Sequence, residues 1–291
     1  MSAKPNKKEV QTTGHAWDGI EELNNPLPRW WLWIFYACII WAVGYSIAYP
    51  AWPMIKGATP GLLGYSTRAE LAKEIERVDG MSAEVRAALA AADISELEVG
   101  GELHSFAIQS GRATFATFCS QCHGSGAAGA VGYPNLLDND WLWGGSIEEI
   151  ETTIRHGIRA EEDDDTRFSE MPAFGDDYLE DEEITQVVHY VMSLSPVTKP
   201  DADPALAKEG AVIFADNCSS CHGENAQGDR DQGAPNLADA IWLYGDTPEA
   251  IEHTVRFGPF GVMPAWALNP NFDEADIKAV ATYVHQLGGG E

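Results

Sequence analysis

The longest uninterrupted hydrophobic stretch of the chain lies near its start. Residues 30–49 are 20 residues without a charge, and a helix of that length, at ~1.5 Å rise per residue, matches the ~30 Å hydrocarbon thickness of a bilayer. Tryptophans at one end, and Tyr49 and Trp52 at the other, are typical of membrane interfaces. A buried core helix or a cleaved signal peptide fits this pattern less well, because the run is long and begins after 29 residues. The pattern predicts one uncleaved transmembrane helix.

After residue 50 the hydrophobic positions follow helical spacing, and no clear alternating strand pattern is present. A Pro/Gly-rich linker leads into residues 67–98, which we predict to be helical with a break at Asp79–Gly80. Two later segments carry apolar residues three and four positions apart, which predicts amphipathic helices. These residues are Ile184, Val187, Val188 and Val191 in one segment, and Ile277, Val280, Tyr283 and Val284 in the other. The chain is therefore predicted to be all-α.

One pattern occurs twice along the chain. "FCSQCHGSG" at 118–126 matches "NCSSCHGEN" at 217–225, and later Pro-Asn-Leu, Met-Pro-Ala and closing-helix segments match in the same order. Each copy opens with a predicted helix, so two copies of one small helical domain of ~90 residues are expected. The predicted parts are an N-terminal segment 1–29, the span 30–49, a partly helical linker 50–104, domains 105–195 and 205–291, and a linker 196–204.

The duplicated motif is Cys-x-x-Cys-His, the attachment pattern of c-type haem. Two thiols add across the vinyl groups of a haem, and the next residue offers its imidazole to the iron. Zinc would need two ligand pairs close in space, whereas each pair here sits in its own repeat. A redox dithiol belongs to a strand-rich context that this chain lacks. We expect two covalently bound haems c, held by Cys119, Cys122, Cys218 and Cys221, with His123 and His222 as axial ligands.

Each iron needs a sixth ligand, for which Met171 and Met263 are the candidates. They follow His123 and His222 by 48 and 41 residues and lie in matched Met-Pro-Ala-aromatic contexts. Methionine is often core filler, but a thioether is also the ligand that raises the potential in cytochromes c. His156 is a weaker alternative, because the second copy has a phenylalanine at that position.

Six further residues are expected around the haems. A backbone carbonyl commonly fixes the second nitrogen of a ligating histidine, and the matched Pro-Asn-Leu segments offer one in each copy. Tryptophans after those segments would wall the haem, although ordinary core packing explains them nearly as well. One arginine per copy could pair with a propionate or stay a solvated cation. The residues are Pro134, Pro235, Trp141, Trp242, Arg155 and Arg256.

The charge of the chain restricts its partners. The net charge is -27, and residues 50–291 hold 41 acidic against 14 basic residues. Such a surface repels nucleic acid and attracts basic partners, although solubility alone would also account for it. Haem c is attached on the outer side of bacterial membranes, which predicts a cytoplasmic N-terminus and periplasmic haem domains. No catalytic base, nucleophile or substrate pocket stands out, so the sequence predicts an electron conduit.

One known family combines these features. "TTGHAWDGIEELNNPLPRWWLWIFY" at 12–36, followed by the span and two Cys-x-x-Cys-His domains, resembles the dihaem subunit of cbb(3)-type cytochrome c oxidases, the FixP/CcoP family. The resemblance implies two tandem class I cytochrome c domains in the bacterial inner membrane. By position, it implies Met171 on the haem of the first motif and Met263 on the haem of the second.

The resemblance also implies partners. Electrons would pass from a basic donor cytochrome c, with the cytochrome bc(1) complex as a further partner, to a monohaem subunit. They would continue to a haem–copper subunit that reduces oxygen in a proton-pumping complex, in contact with membrane lipid. Three alternatives stay open at this point: a membrane-anchored dihaem shuttle, a dihaem peroxidase-class enzyme, and a dihaem subunit of another respiratory complex.

Overall fold

The structure is a computed structural model that describes residues 11–176 and 178–291. The first ten residues of the predicted cytoplasmic segment lie outside the described part. The chain divides into two compact units, residues 1–81 and residues 82–291.

The first unit contains the predicted membrane helix. Helix α1, Arg29–Ala48, begins directly after Pro28, and none of its side chains is buried in protein. It is the one helix of the described residues that is long and apolar enough to cross a membrane. Length, composition and exposure therefore agree with the predicted span.

Two short antiparallel hairpins flank α1 and depart from the all-α expectation. Strands β1, Thr12–Trp17, and β2, Ile20–Leu23, pair with each other, as do β3, Pro53–Met54, and β4, Gly57–Ala58. Asp18 and Gly19 join the first pair and both have positive φ, which is the turn that an Asp-Gly pair favours. Helices nevertheless dominate the chain.

Helix α2, Thr67–Ala91, is continuous, so the break predicted at Asp79–Gly80 is wrong. A glycine inside a helix costs only about 1 kcal/mol relative to alanine. Neighbouring turns supply compensation, because Lys73 pairs with Glu70 and Arg77 with Glu74 one turn apart.

The second unit consists of helices that are joined by loops rich in glycine. Its other helices are α3 (Glu102–Thr114), α4 (Ser120–His123), α5 (Ile147–His156), α6 (Asp181–Leu194), α7 (Pro204–Asn217), α8 (Ser219–His222), α9 (Pro248–Phe257) and α10 (Glu274–His285). Both predicted opening helices, α3 and α7, and both predicted closing helices, α6 and α10, are present.

The opening and closing helices pair across the two copies. Helix α3 of the first copy packs on α10 of the second, and α7 of the second copy packs on α6 of the first. At the first crossing, Gly111 lies against the backbone of Ala279 and the side chain of Tyr283, and at the second, Gly210 lies against Gln186 and Tyr190. Both glycines allow the two helix backbones to approach closely.

An aromatic pair accompanies each crossing. The ring centroids of Phe115 and Tyr283 are 5.5 Å apart, and those of Phe214 and Tyr190 are 5.2 Å apart. Such tilted pairs contribute roughly 0.5–1.5 kcal/mol beyond their buried area. The two crossings are therefore matched in detail, and each joins one copy to the other.

Two hydrophobic cores follow from this exchange. The first core combines Ile94, Phe115, Ala127, Leu136, Ile150 and Ile154 with Ile277, Val280, Ala281 and Val284. The second core combines Phe174, Ile184, Val187, Val188, Val191 and Met192 with Phe214, Ala226, Ile251 and Val255. Each core thus needs apolar side chains from both copies.

The segment between the copies is held in place. Thr198 is buried, and its hydroxyl donates a hydrogen bond of 2.7 Å to the carbonyl of Met192. The hydroxyl of the buried Ser195 donates to the carbonyl of Asp239. The predicted linker 196–204 is consequently fixed to both copies at its start.

Candidate haem-binding sites

Each Cys-x-x-Cys-His motif lies on a short helix at the end of an opening helix. In the first copy, a π-helical turn, Phe115–Cys119, leads from α3 into α4. In the second copy, α7 runs to Asn217 and α8 follows. Glycines with positive φ, Gly124 and Gly223, come directly after the two histidines and turn the chain away.

The two motif histidines are fixed by backbone carbonyls. Nδ1 of His123 is 3.1 Å from the carbonyl oxygen of Pro134, and Nδ1 of His222 is 3.0 Å from that of Pro235. These are the carbonyls that the sequence predicted. A carbonyl can only accept, so Nδ1 carries the proton and Nε2 keeps its lone pair for a metal. Burial lowers the pKa of both rings, which favours this neutral form.

None of the four motif cysteines forms a disulfide among the described residues. Among the described residues, the one group with metal-binding spacing is His156, Asp163 and Asp165, which includes no cysteine. This arrangement gives no support to a zinc site at the motifs.

The two candidate methionines are partly buried, and each packs against the core of the motif that chain order would not assign to it. Met263 packs against the first core together with Cys119, whereas Met171 packs against the second core together with Cys218. The pairing of Met171 with the first motif, taken from chain order, does not match this packing.

The segments around the two methionines are held by the other copy. The N–H of Ile158 donates to the carbonyl of Met263 at 2.9 Å, and the N–H of Met263 donates back at 3.0 Å. Gly157, at the end of α5, lies against the backbone of Met263, and Gly258, at the end of α9, lies against that of Met171. Both glycines have positive φ and no space for a Cβ. The exchange of helices therefore extends to the methionine loops.

The two predicted tryptophans pack at the cores but differ in their hydrogen bonds. Trp141 contacts the first core, and its indole N–H donates to the carbonyl of Gly289 at 2.5 Å. Trp242 contacts the second core, and its indole nitrogen is buried without a partner. A buried donor without an acceptor is costly, so Trp242 is suited to an acceptor on a bound group.

The two predicted arginines are engaged by carboxylates. Arg155 pairs with Glu274 and, at 2.6 Å, with Glu151. Arg256 pairs with Asp181 at 2.6 Å and with Glu252 at 2.8 Å. Glu274 and Asp181 begin the closing helices, so each arginine ties its own copy to the exchanged helix. Neither expectation for these arginines, propionate partner or solvated cation, describes these contacts.

Sequence reasoning missed Arg167. Its Nε is buried and has no hydrogen-bond partner. The signal lay in the sequence, because the loop that carries Arg167 is present in the first copy alone. Paired motif cysteines, anchored histidines, methionines packed against the cores and two donors without a described acceptor together fit a covalently held haem with carboxylate groups.

Comparison with known proteins agrees with this geometry. Residues 9–56 match the model of the N-terminal domain of cytochrome oxidase-cbb3, FixP. Residues 106–191 and 205–284 each match the model of cytochrome c oxidase, cbb3-type, subunit III.

Full-length relatives carry the same description. The chain is 57% identical to the cbb3-type cytochrome c oxidase subunit CcoP of Cereibacter sphaeroides, with all of both chains covered. It is 53% identical to the CcoP subunit of Rhodobacter capsulatus, again over both whole chains. It is 51% identical to the FixP subunit of Sinorhizobium medicae, covering 97% of this chain and 96% of that one.

Proposed function

We propose a role for each haem-binding residue from one premise: the chain belongs to the CcoP/FixP family of cbb(3)-type cytochrome c oxidase subunits. It is an electron-transfer subunit of that oxidase, it carries two c-type haems, and it is anchored in a membrane. The observation that carries this conclusion is similarity over the whole chain, including both haem-binding copies.

The proposed ligand sets follow the cores rather than the order of the chain. The first haem is bound by Cys119, Cys122 and His123, with Met263 as the sixth ligand. The second is bound by Cys218, Cys221 and His222, with Met171 as the sixth ligand. Packing of Met263 with Cys119, and of Met171 with Cys218, supports this assignment.

His/Met-ligated haem supplies a one-electron carrier of raised potential. The carbonyls of Pro134 and Pro235 hold the proton of each histidine on Nδ1, burial favours the neutral ring, and an apolar core lies beside each site. A methionine at each core supports an electron carrier rather than a peroxidase-class enzyme, which needs one open haem.

The proposed location is the bacterial inner membrane, with the N-terminus in the cytoplasm and residues 50–291 in the periplasm. The exposed apolar helix α1 supports a single span, and attachment of haem c outside the membrane supports the orientation. Alkaline phosphatase fused after residue 65 should be active, and the same enzyme fused before Arg29 should be inactive. The reverse pattern would overturn the orientation.

The proposed donor is a basic cytochrome c, which the cytochrome bc(1) complex would in turn reduce. Residues 50–291 hold 41 acidic against 14 basic residues, so attraction over a Debye length of ~8 Å at physiological salt would speed encounter. Oxidation of a basic cytochrome c by the complex should slow as salt rises. A rate that is flat from low to high salt would count against this donor.

Gentle detergent purification through a tag on this chain tests the complex. Two haems c on this chain, with further haem c, haem b, copper and oxygen uptake in the preparation, are the expected result. Two haems c alone, without haem b or oxygen uptake, would favour an autonomous dihaem shuttle.

A further inference from the structure

The loop between α5 and the first methionine has no counterpart in the second copy. In the first copy 14 positions separate Gly157 from Met171, whereas in the second 5 separate Gly258 from Met263. Because Met263 packs at the first core, the longer loop does not serve to deliver a methionine to the first site. The extra residues of the loop therefore need another explanation.

The loop brings Arg167 beside the first site. Ile158 forms isolated β-bridges with both Met263 and Arg167, so the backbone segments around these three residues lie side by side. The guanidinium carbon of Arg167 lies 5.5 Å from the ring centroid of Trp143, a buried side chain. One terminal nitrogen donates to the carbonyl of Glu149 at 3.3 Å. Arg167 is thus held on an aromatic platform next to the Met263 segment.

Arg167 is a half-buried cation that forms no ion pair with a carboxylate among the described residues, although the negative charge of Glu149 acts on it. Three other arginines of this unit that are similarly covered, Arg86, Arg155 and Arg256, form ion pairs with aspartate or glutamate. The Nε of Arg167 is buried without a hydrogen-bond partner, and burial lowers the pKa of the group. In a chain with 45 acidic and 18 basic residues, Arg167 therefore keeps one hydrogen-bond donor without a described acceptor.

A buried guanidinium is stable when it meets an anion, and a guanidinium fork matches a carboxylate in particular. Arg159, the other arginine of the loop, does not fill this role, because its Nε donates to Gly261 and a terminal nitrogen donates to Ser169. No described carboxylate forms an ion pair with Arg167, although the charge of Glu149 acts on it, whereas a haem bound at Cys119 and Cys122 brings two propionates.

We propose that Arg167 binds a propionate of the first haem through its unpartnered Nε, and that this contact raises the reduction potential of that haem above the value it would have without the cation. The proposal rests on the proposed function. Reduction adds one negative charge at the haem, which a neighbouring fixed cation favours. The second copy lacks the loop, so this contribution acts on one haem alone.

The test is a spectroscopic redox titration of the purified oxidase that contains Arg167→Gln. We expect the reduced-to-oxidised ratio of one haem c at a fixed applied potential to fall about 10-fold, equal to a shift of about 59 mV for a one-electron couple. The shifted haem should be the one that Met263→His moves. Its potential should also become more dependent on pH near neutrality, because the propionate loses the partner that keeps it ionised.

Two further variants separate binding from folding. Arg167→Lys keeps the positive charge, so the reduction potential of the first haem should stay close to the wild-type value. Arg230→Gln removes an exposed arginine that pairs with Glu291, and it should shift neither haem by a comparable amount.

Unchanged potentials in Arg167→Gln, with or without lower thermal stability, would overturn the proposal and leave Arg167 as a packing residue on Trp143. A shift of the haem that Met171→His moves would overturn it as well. Haem content is measured first on the wild type, because a preparation without two haems c would contradict the proposed function and not this contact.

Discussion

The two copies hold their motif histidines and cross each other in the same way, but they differ in one loop and in several side chains near the motifs. Both histidines donate to a proline carbonyl, both opening helices cross a closing helix at a glycine, and both α5 and α9 end at a glycine that backs a methionine. The copies differ at the loop that carries Arg167, at the indole N–H of Trp141 and Trp242, and at Asp140, which Ile241 replaces.

The shared features are those that covalent attachment and axial ligation require of any copy. The differences lie outside the motif cysteines, histidines and candidate methionines, and they change charge and hydrogen bonding. Duplication therefore kept the attachment chemistry in both copies, while the residues around it diverged.

The largest expected effect comes from exchanging an axial ligand. With Cys119 and Cys122 changed to alanine, only the second haem remains, and Met171→His in that background should lower its potential on the order of 0.1 V, within the ~0.8 V range that axial ligands cover. Met263→His in the same background should leave that potential nearly unchanged. Redox titration measures both. A fall with Met263→His and none with Met171→His would restore the chain-order pairing.

Substitutions of the glycines at the two helix crossings test whether the copies fold as one unit. A Cβ at Gly111 would meet Ala279 and Tyr283, and one at Gly210 would meet Gln186 and Tyr190. Gly111→Ala and Gly210→Ala should each lower the free energy of unfolding by about 2 kcal/mol through overpacking.

Calorimetry should show one shared transition of the haem-binding unit moving in both glycine variants, because each crossing joins both copies. Gly126→Ala is the matched control, since its Cβ would meet open space. Two separate transitions, of which only one moves, would show independent domains.

The tryptophans test the difference in hydrogen bonding at the cores. Trp242→Phe removes a buried N–H that has no protein acceptor, so we expect it to shift the reduced-to-oxidised ratio of the second haem by about threefold, the scale of a hydrogen bond of ~1 kcal/mol. Trp141→Phe removes an N–H that Gly289 accepts and should change stability more than potential. Equal potential shifts in both variants would contradict this distinction.

Substitution of Asp140 should give the smallest effect, a change in how the free energy of unfolding depends on pH. Burial, with help from Asp239 and Asp138, raises the pKa of Asp140 from an ordinary value of 3.8 to about 6. The native state therefore binds this proton more tightly than the unfolded chain, and the resulting stability is complete below pH ~4 and lost as pH rises through about 6.

Asp140→Asn keeps the neutral form at every pH. It should raise the free energy of unfolding by about 1 kcal/mol at pH 8, after allowance for solvent screening, and by almost nothing at pH 4. Thermal unfolding of variant and wild type at both pH values measures this. A gain of equal size at pH 4 and pH 8 would show that the charge of Asp140 is not the cause.

The elements and the ligand types were predictable from local patterns. Apolar spacing predicted α3, α6, α7 and α10, and the duplicated motif with its Pro-Asn-Leu segment predicted the histidine–carbonyl contacts. These features depend on residues close together in sequence or on a recurrent metal-site geometry, so one sequence is enough to find them.

The exchange of helices was not predictable in this way. Hydrophobic periodicity shows which face of α3 is buried, but α6 and α10 offer similar apolar faces to it. The choice depends on contacts between distant segments, such as Lys278 donating to the carbonyls of Ala90 and Ala92 at the end of α2. The hairpin at Asp18–Gly19 was recoverable from the Asp-Gly turn signal, whereas the continuity of α2 across Gly80 was decided by neighbouring turns.

The exchange of helices also determines when the two cores can form during synthesis of the chain. The first Cys-x-x-Cys-His motif ends at residue 123, but the helix that completes its core begins at Glu274. A growing chain that emerges from the membrane must therefore wait for almost its full length before either core can close. A chain that stops after the first copy leaves both cores incomplete.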